Sequence, residues 1–271
     1  MKNLVHLLFI LTLTATNLQG QYRTVFTSLD KNVLLKSLFT SSTVIKNKAG
    51  EAMARWKPSL AESLKLPVNM FGECFTQIDT IIRYKDDDGK QYALVAFGSY
   101  AMNENNDYES DCFNCAPTLG AASFAYGLLD RPEWTIISFD VSLTEHGLAS
   151  DMREINLVQI GKSKFAMELP NGYALQGYLG TWLTYYEIGS FDKIFSIITH
   201  EDNLGVTDDE SKRYNFDVEV KIVPTTDNYF KIVATSSGTQ AAEDWTKIIP
   251  AESTRTFYFD DFAGMYVEKK E

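Results

Sequence analysis

The sequence predicts a mainly β protein, built from antiparallel meandering sheets with a short helical cap near its N-terminal end. Three observations support this fold class. Beyond Pro67, β-branched and aromatic residues gather in short runs with period two, as in half-buried strands. Dipeptides that favour hairpin turns, Asp88-Gly89 and Asn171-Gly172, separate neighbouring runs. Before Pro67, apolar residues instead recur at helical spacing.

The helical pattern begins near residue 30. Its apolar positions are Val33, Leu34, Leu38, Ala52, Ala54, Trp56, Leu60 and Leu64. Pro58 and Pro67 should each end or restart a helix, because proline lacks an N–H and clashes with the preceding turn. We therefore expect two or three short helices within residues 21–67, followed by an antiparallel β domain over residues 68–271.

The β domain should contain a long series of short strands. The runs with period two cover residues 77–84, 92–100, 121–129, 134–143, 156–160, 164–169, 173–176, 181–188, 193–199, 215–222, 229–235 and 254–258. Short turns between them favour antiparallel pairing of consecutive strands. A weak recurrence of strand pairs every ~40–50 residues leaves two arrangements open, an irregular sandwich and a propeller-like fold.

Residues 1–20 have the pattern of a cleavable secretory signal peptide. Lys2 precedes an apolar run of about ten residues, which is the length of a signal h-region. A membrane-spanning helix needs about 20 apolar residues, so this run is too short to cross a bilayer. We place the cleavage after Gly20 and expect an exported protein. No later segment offers ~18 consecutive apolar residues, so membrane insertion after cleavage is not expected.

The charge and the missing motifs exclude several function classes. The chain has a formal net charge of −11, which repels nucleic-acid phosphates and anionic lipid headgroups. Nucleic acid and membrane surfaces are therefore not expected as partners. Neither a P-loop nor a dinucleotide fingerprint is present in the sequence, and no cofactor is expected. A G-x-S-x-G elbow is also missing, which leaves a serine hydrolase unsupported.

The three cysteines permit a disulfide. Cys112 and Cys115 form a C-x-x-C pair, and Cys74 lies well before them. In an oxidising compartment, thiols pair when geometry allows. We therefore favour a structural disulfide, either between Cys112 and Cys115 or from Cys74 to one of them.

Two other interpretations of the C-x-x-C pair stay open. A thioredoxin-like redox pair would need a helix directly after it, which Ala116-Pro117 could begin. A metal site would need a fourth ligand, and neither His146 nor His200 lies at zinc-finger spacing, so no metal is expected. Haem attachment needs a histidine directly after the second cysteine, where Ala116 stands, so it is excluded.

Three segments carry a resemblance to a known family. They are CFNCAPTLG at residues 112–120, GYALQGY at 172–178 and EDNLG at 201–205. Together they resemble an uncharacterised family of exported bacterial proteins with a C-x-x-C-A-P-x-L-G segment and a G-Y-x-x-Q-G-Y segment. Members often carry His after the first cysteine, where this chain has Phe113. The resemblance implies a bacterial protein that is periplasmic or secreted, and it implies no activity or catalytic residue.

A candidate polar site follows one of the predicted strands. His200, Glu201 and Asp202 come directly after the apolar run at 193–199. Together with His146 they could form acid and base machinery. Solvent-exposed histidines in turns would give the same pattern. H-E-x-x-H is not formed, because no second histidine follows.

Aromatic residues at 173–186 supply the best candidate for a binding surface. Trp182 and Tyr186 fall on one face of a predicted strand, with Thr184 between them, and Tyr178 precedes them. Tyr and Trp are also common in the cores of β-sheets, so core packing is the alternative.

These observations favour a non-catalytic binding or interaction protein. Its ligand would be a saccharide or a partner protein that meets the aromatic face. Two enzymes remain as alternatives: a thiol-disulfide oxidoreductase at Cys112 and Cys115, and a hydrolase that uses His200 with a nearby carboxylate.

Overall fold

A computed structural model describes residues 25–39, 42–66, 73–100, 117–128, 131–145, 154–243 and 246–269. These residues form two antiparallel sheets and two short α-helices, which confirms the predicted mainly β fold. Neither α-helix in these ranges is long and apolar enough to cross a membrane. The predicted signal peptide lies outside the described residues.

The first sheet has seven strands in the order β1-β7-β6-β5-β4-β3-β2. Each of β2 to β7 pairs with its neighbours in sequence, and the short β1 closes the far edge beside β7. The elements of this half are β1 (Val25–Phe26), α1 (Lys31–Leu38), β2 (Thr43–Lys46), β3 (Ala52–Trp56), α2 (Leu60–Ser63), β4 (Cys74–Lys85), β5 (Gln91–Tyr100), β6 (Thr118–Tyr126) and β7 (Trp134–Glu145).

The second sheet has nine strands, and it is also a meander. Its order is β8-β9-β10-β11-β12-β13-β15-β16, with β14 paired to the end of β13. The strands are β8 (Asn156–Gly161), β9 (Lys164–Leu175), β10 (Tyr178–Glu187), β11 (Lys193–Asp202), β12 (Asn215–Val223), β13 (Lys231–Ala241), β14 (Ile248–Pro250), β15 (Ser253–Asp260) and β16 (Met265–Glu268). A 3₁₀ turn, Glu210–Lys212, lies between β11 and β12.

The N-terminal cap contains two short helices, where two or three were expected, and three strands that were not expected. The Asp30 side chain accepts hydrogen bonds from the N–H groups of Asn32 and Val33, which starts α1 where the apolar stripe begins. The prediction of a helix through Ala52–Trp56 is wrong, because this segment is β3 and pairs with both β2 and β4. The cap therefore shares the first sheet with the β domain.

The first sheet is the middle layer of the molecule. Leu34 of α1 packs in one cluster with Val95 and Phe97 of β5. Leu94 of β5 packs on the opposite side, in a cluster with Met167 of the second sheet. Because both faces are covered, eight consecutive residues of β5 are buried, as expected for a strand between two apolar layers. The first sheet thus packs against β8 to β10 as in a sandwich, whereas the remaining strands of the second sheet curl around a cluster of their own, which includes Phe195 and Ile232.

The predicted hairpin turn at Asp88-Gly89 is confirmed, and its acidic residues have structural roles. Asp86 Oδ1 accepts hydrogen bonds from the N–H groups of Asp88 and Lys90, at 3.0 and 2.9 Å. Asp87 Oδ2 accepts the N–H of Ser163 at 2.8 Å. Since Ser163 lies in the β8–β9 turn, this bond joins the two sheets at their turns.

The second sheet is interrupted between β11 and β12. Within the continuous described stretch 154–243, these strands join through three residue pairs, which begin at His200 and Asp217. By contrast, β12 and β13 form nine pairs. Among the described residues, 193–199 of β11 therefore pair with β10 alone, so one edge of this segment is open to pairing, although β16 also lies close to β11. Apolar residues of β11, β12, β13 and β15 fill one side of this gap, in a cluster that includes Phe195, Val218, Ile232 and Phe257.

Gly120 offers a test of the packing in the first sheet. It lies opposite Phe97 in the β5–β6 register, and a Cβ at this position would overlap the Phe97 ring and lie 2.8 Å from the main-chain oxygen of Asp140. We expect Gly120→Ala to lower the free energy of unfolding by about 1–3 kcal/mol, the usual cost of an overpacked core. Urea unfolding measures this change. The cost should be smaller in a Phe97→Leu background, and equal costs in both backgrounds would contradict the proposed clash.

Candidate functional site

A groove crosses the second sheet beside the open edge of β11. It consists of two adjoining depressions of about 380 and 520 Å³. Both are lined by the same three residues of β11, Ser196, Ile197 and Ile198. We call the combined depression the β11 groove. Its size lies in the range of ligand-binding clefts, which is roughly 300–1,000 Å³.

The floor of the β11 groove is apolar and partly exposed. Ile198 leaves 48% of its surface exposed at the centre of this floor. Phe216 and Val218 of β12 continue the floor on the other side of the gap. A ligand in the groove would cover these side chains and remove apolar surface from water.

One end of the β11 groove is aromatic. The rings of Tyr173 and Trp182 lie 6.1 Å apart with an angle of 39° between their planes. The ring of Tyr173 lies directly over Gly180, where a Cβ would overlap it, so glycine permits this position of the ring. Glu201 adds a carboxylate at this end, and its Oε1 accepts the Tyr214 hydroxyl at 2.7 Å. Burial and Glu201 raise the pKa of Tyr214, so the phenol stays protonated and donates this bond.

The other end of the β11 groove is polar. It is lined by residues from β13, the β14–β15 connection and β15, among them Ser236, Gln240, Glu252, Ser253 and Arg255. The hydroxyl oxygens of Ser236 and Ser253 lie 2.7 Å apart and bond to each other. The groove therefore presents rings at one end, aliphatic side chains in the middle, and hydroxyl and charged groups at the other end.

The structure separates the three residues of the predicted aromatic surface. Trp182 lines the β11 groove, as described above. Tyr178 lies in a neighbouring depression of about 250 Å³ with Tyr214, Lys212 and Lys247. Tyr186 is buried between the two sheets, so it belongs to the core and not to an exposed face. In the predicted row of Trp182, Thr184 and Tyr186, only Trp182 therefore lines the groove, since Thr184 and Tyr186 are buried.

The predicted polar site brings His200 and Asp202 together, and it adds Asp217 of β12. His200 Nδ1 lies 2.8 Å from Asp217 Oδ1, and Nε2 lies 2.9 Å from Asp202 Oδ2. Asp202 is itself held by the N–H of Leu204, which donates to Oδ1 at 3.0 Å. We call these three side chains the histidine clamp, since they join β11 to β12 where the strands pair. Glu201 lies outside the clamp and bonds Tyr214.

The histidine clamp favours a charged imidazolium. Burial lowers the pKa of His200, but the hydrogen bonds and charges of Asp202 and Asp217 outweigh burial and raise the pKa above its ordinary value. Both ring nitrogens donate when the imidazole is protonated, which suits two carboxylate acceptors. A general base needs a free nitrogen, so this arrangement does not present His200 as the base of a hydrolase.

The cysteine prediction depends on residues that the structure does not describe. Cys112, Cys115 and His146 lie outside the described ranges, which hold Cys74 as their single cysteine. Cys74 is fully buried at the start of β4. Burial, with Glu62 and Glu73 nearby, raises the pKa of its thiol to about 12, which disfavours the reactive thiolate. Within the described ranges, no group of three or more His, Cys, Asp or Glu has the geometry of a metal site.

Several groove residues could not be identified from the sequence. Ile198 occupies an ordinary apolar position of a strand, and Phe216, Ser236 and Arg255 come from three further strands. The break between β11 and β12, which makes room for them, follows an irregularity in the β10–β11 register. Thr181 pairs with His200 while Trp182 pairs with Ile198, which leaves Thr199 as an extra residue in β11. Such a bulge increases the local twist, and no signal in the sequence marks it.

The histidine clamp predicts a pH-dependent stability. Because the pKa of His200 is higher in the folded than in the unfolded chain, its contribution is fully present below the unfolded value of about 6.5. The contribution is lost as the pH rises through the raised folded pKa. His200→Gln should therefore lower the free energy of unfolding more at pH ~5.5 than at pH ~8.5. The difference should be at most roughly 1 kcal/mol, since the ion pair is partly exposed.

Urea unfolding of both proteins at the two pH values measures this difference. Asp202→Asn should flatten the pH dependence as well, because it removes the more buried carboxylate of the clamp. Equal costs of His200→Gln at both pH values would show that the clamp does not hold a charged imidazole.

Comparisons with protein-family models, with curated proteins and with solved structures find no match to the chain. No relative therefore assigns a role to the β11 groove or to the histidine clamp. The resemblance to exported bacterial proteins stays a prediction. The function must be inferred from the contacts and the chemistry of the groove itself.

Proposed function

We propose that this chain is an exported, non-catalytic binding protein that holds an extended segment of a partner protein in the β11 groove. The observation that carries the proposal is the open edge of β11, where residues 193–199 pair with β10 alone among the strands that the structure describes. An open strand edge offers N–H and C=O groups to an extended peptide, which can add as a further strand. The groove crosses the second sheet at this edge.

The exposed floor of the β11 groove supports the same ligand. The side chains of an extended peptide alternate between two directions, so every second one would meet the apolar floor. Ile198 and Phe216 are available there, and Ser196 is exposed beside them. Main-chain bonds would supply affinity, while the floor would select apolar side chains at alternate positions.

A saccharide is the second ligand class, and one observation favours it. Tyr173 and Trp182 present two neighbouring rings beside the Glu201 carboxylate, and a flat apolar surface next to a hydrogen-bond acceptor suits a sugar ring. This feature covers one end of the groove. The open edge of β11 spans its middle, and it favours a peptide.

Selection of random heptapeptides on phage against the immobilised protein tests the proposal, with a glycan array in parallel. We expect peptides with alternating apolar residues to be enriched and glycans to show no binding. Ile198→Lys should weaken the affinity of the selected synthetic peptides by at least about tenfold, because it places a charge on the apolar floor. Fluorescence anisotropy measures the affinities.

Ile137→Lys is the matched control. Ile137 lies on β7 in the first sheet and leaves 45% of its surface exposed, close to the 48% of Ile198. Its replacement should leave peptide affinity unchanged. Glycan binding without peptide binding would assign the groove to saccharides, and equal effects of the two lysine variants would place the binding site elsewhere.

The exported location is a separate part of the proposal. It is supported by the sequence of residues 1–20, in which a cation precedes a short apolar run. Expression of the full chain in a bacterium, followed by N-terminal sequencing of the periplasmic and culture-medium fractions, tests it. We expect the recovered protein to begin at Gln21. Full-length protein confined to the cytoplasm would contradict export without affecting the binding proposal.

A further inference from the structure

We infer that the partner segment carries a carboxylate and that Arg255 binds this carboxylate at the polar end of the β11 groove. The inference rests on the proposed function, since it names the chemistry of the same ligand. It depends on the position of Arg255 in the fold, on the lack of an ionic partner for it among the described residues, and on the distribution of charge around it.

Arg255 is held at the groove by the strands on which it lies. It pairs with Ala234 across β13 and β15, and its guanidinium lies 5.8 Å from the centre of the Phe257 ring. The side chain is half-buried, and it lines the groove next to Ser253. Contact with an aromatic ring orients a guanidinium, while its N–H groups remain able to donate to a ligand.

Arg255 differs from the other described arginines in combining partial burial with the lack of a carboxylate. Arg55 pairs with Glu73 at 2.7 Å, and Arg213 lies 3.7 Å from Asp208. Arg83 and Arg131 are exposed to water. Among the described residues, no carboxylate lies within 4.0 Å of the Arg255 guanidinium.

A half-buried guanidinium without an anion is costly, because it has lost part of its hydration and gained no charged partner. A carboxylate matches its geometry, since two N–H groups can donate to the two oxygens at once. The folded chain already removes part of the Arg255 guanidinium from water, so this part of the desolvation free energy is not lost again when a ligand binds. A ligand carboxylate would therefore gain a strong bond with little further loss on the protein side.

The charges around Arg255 limit how many carboxylates the ligand can carry there. Glu252 lines the same end of the groove, and Glu201 lines the opposite end. Both would repel additional anionic groups, and the net charge of −11 disfavours a strongly acidic partner. The ligand should thus be a mostly apolar peptide with one carboxylate, supplied by an acidic side chain or by its own C-terminus.

Two display libraries of random heptapeptides test this inference and separate the two sources of the carboxylate. In one library the heptapeptide ends the displayed protein, so that its C-terminal carboxylate is free. In the other library a neutral sequence follows it. Enrichment of Asp or Glu at one position in both libraries would identify a side chain, whereas binding restricted to the first library would identify the C-terminus.

We expect the affinity of the selected synthetic peptides to fall by at least about tenfold in Arg255→Gln, as for loss of a charge-assisted hydrogen bond. Converting the peptide carboxylate to an amide should lower the affinity for the wild type by the same factor. The same conversion should leave the affinity for Arg255→Gln unchanged. Arg255→Lys should retain part of the affinity. Arg83→Gln removes an exposed arginine of β4 and is the matched control, with unchanged affinity.

Peptides that bind wild type and Arg255→Gln equally, or that show no preference for a carboxylate, would overturn the inference and leave the proposed function intact. A complete lack of peptide enrichment in both libraries would instead overturn the proposed function. Thermal unfolding of each variant confirms that Arg255→Gln still folds. If it does not fold, the affinities of the wild type for the acid and the amide peptide test the inference, and equal affinities would overturn it.

Discussion

The separation of β11 from β12 after three residue pairs determines the shape of the second sheet. In a continuous sheet, residues 193–199 would use both edges for main-chain hydrogen bonds. Here Thr199 is an extra residue in β11, next to the point where β11 and β12 part, and the gap is covered on one side by a cluster that includes Phe195 and Val218. The separation of β11 from β12 also forms the β11 groove. Natural sheets rarely leave such an edge without a reason, because it invites pairing with another chain.

The two walls of the β11 groove are supported differently. The wall formed by β10 and β11 continues into residues such as Met167 and Tyr186, which pack against the doubly covered first sheet. The other wall, from β12 to β16, is joined through the histidine clamp and through the hydroxyl of Tyr266, which donates to the main chain of Ile160 and Phe230. An apolar cluster also joins the two walls, since Phe195 of β11 packs with Val218 of β12 and Ile232 of β13. The open edge of β11 is thus held in place before a ligand binds.

The sequence was informative about strands because one face of most strands is buried and the other is not. It was misleading where short segments fit two periods: Ala52, Ala54 and Trp56 also alternate at period two, and pairing with two strands decided their conformation. Trp182 could be identified as a surface aromatic, but Tyr186 could not be separated from it, since β10 runs from the groove into the core. The position of Arg255 at the groove could not be predicted, because it depends on the pairing of β15 with β13 and on the gap between β11 and β12.

The position of β1 has a consequence for the order in which the chain folds. Val25 and Phe26 pair with Thr135 and Trp134, so the first strand that the structure describes completes a sheet whose other strands pair with their predecessors. Phe26 is fully buried and meets Phe124 edge to face, with 5.2 Å between the ring centres. Because a chain is synthesised from its N-terminus, this strand has no partner until β7 has emerged. Contacts between β1 and β7 join residues that are far apart in the sequence, so they are slow to form. The last edge of the sheet is therefore completed by a strand that was synthesised before all the others in that sheet.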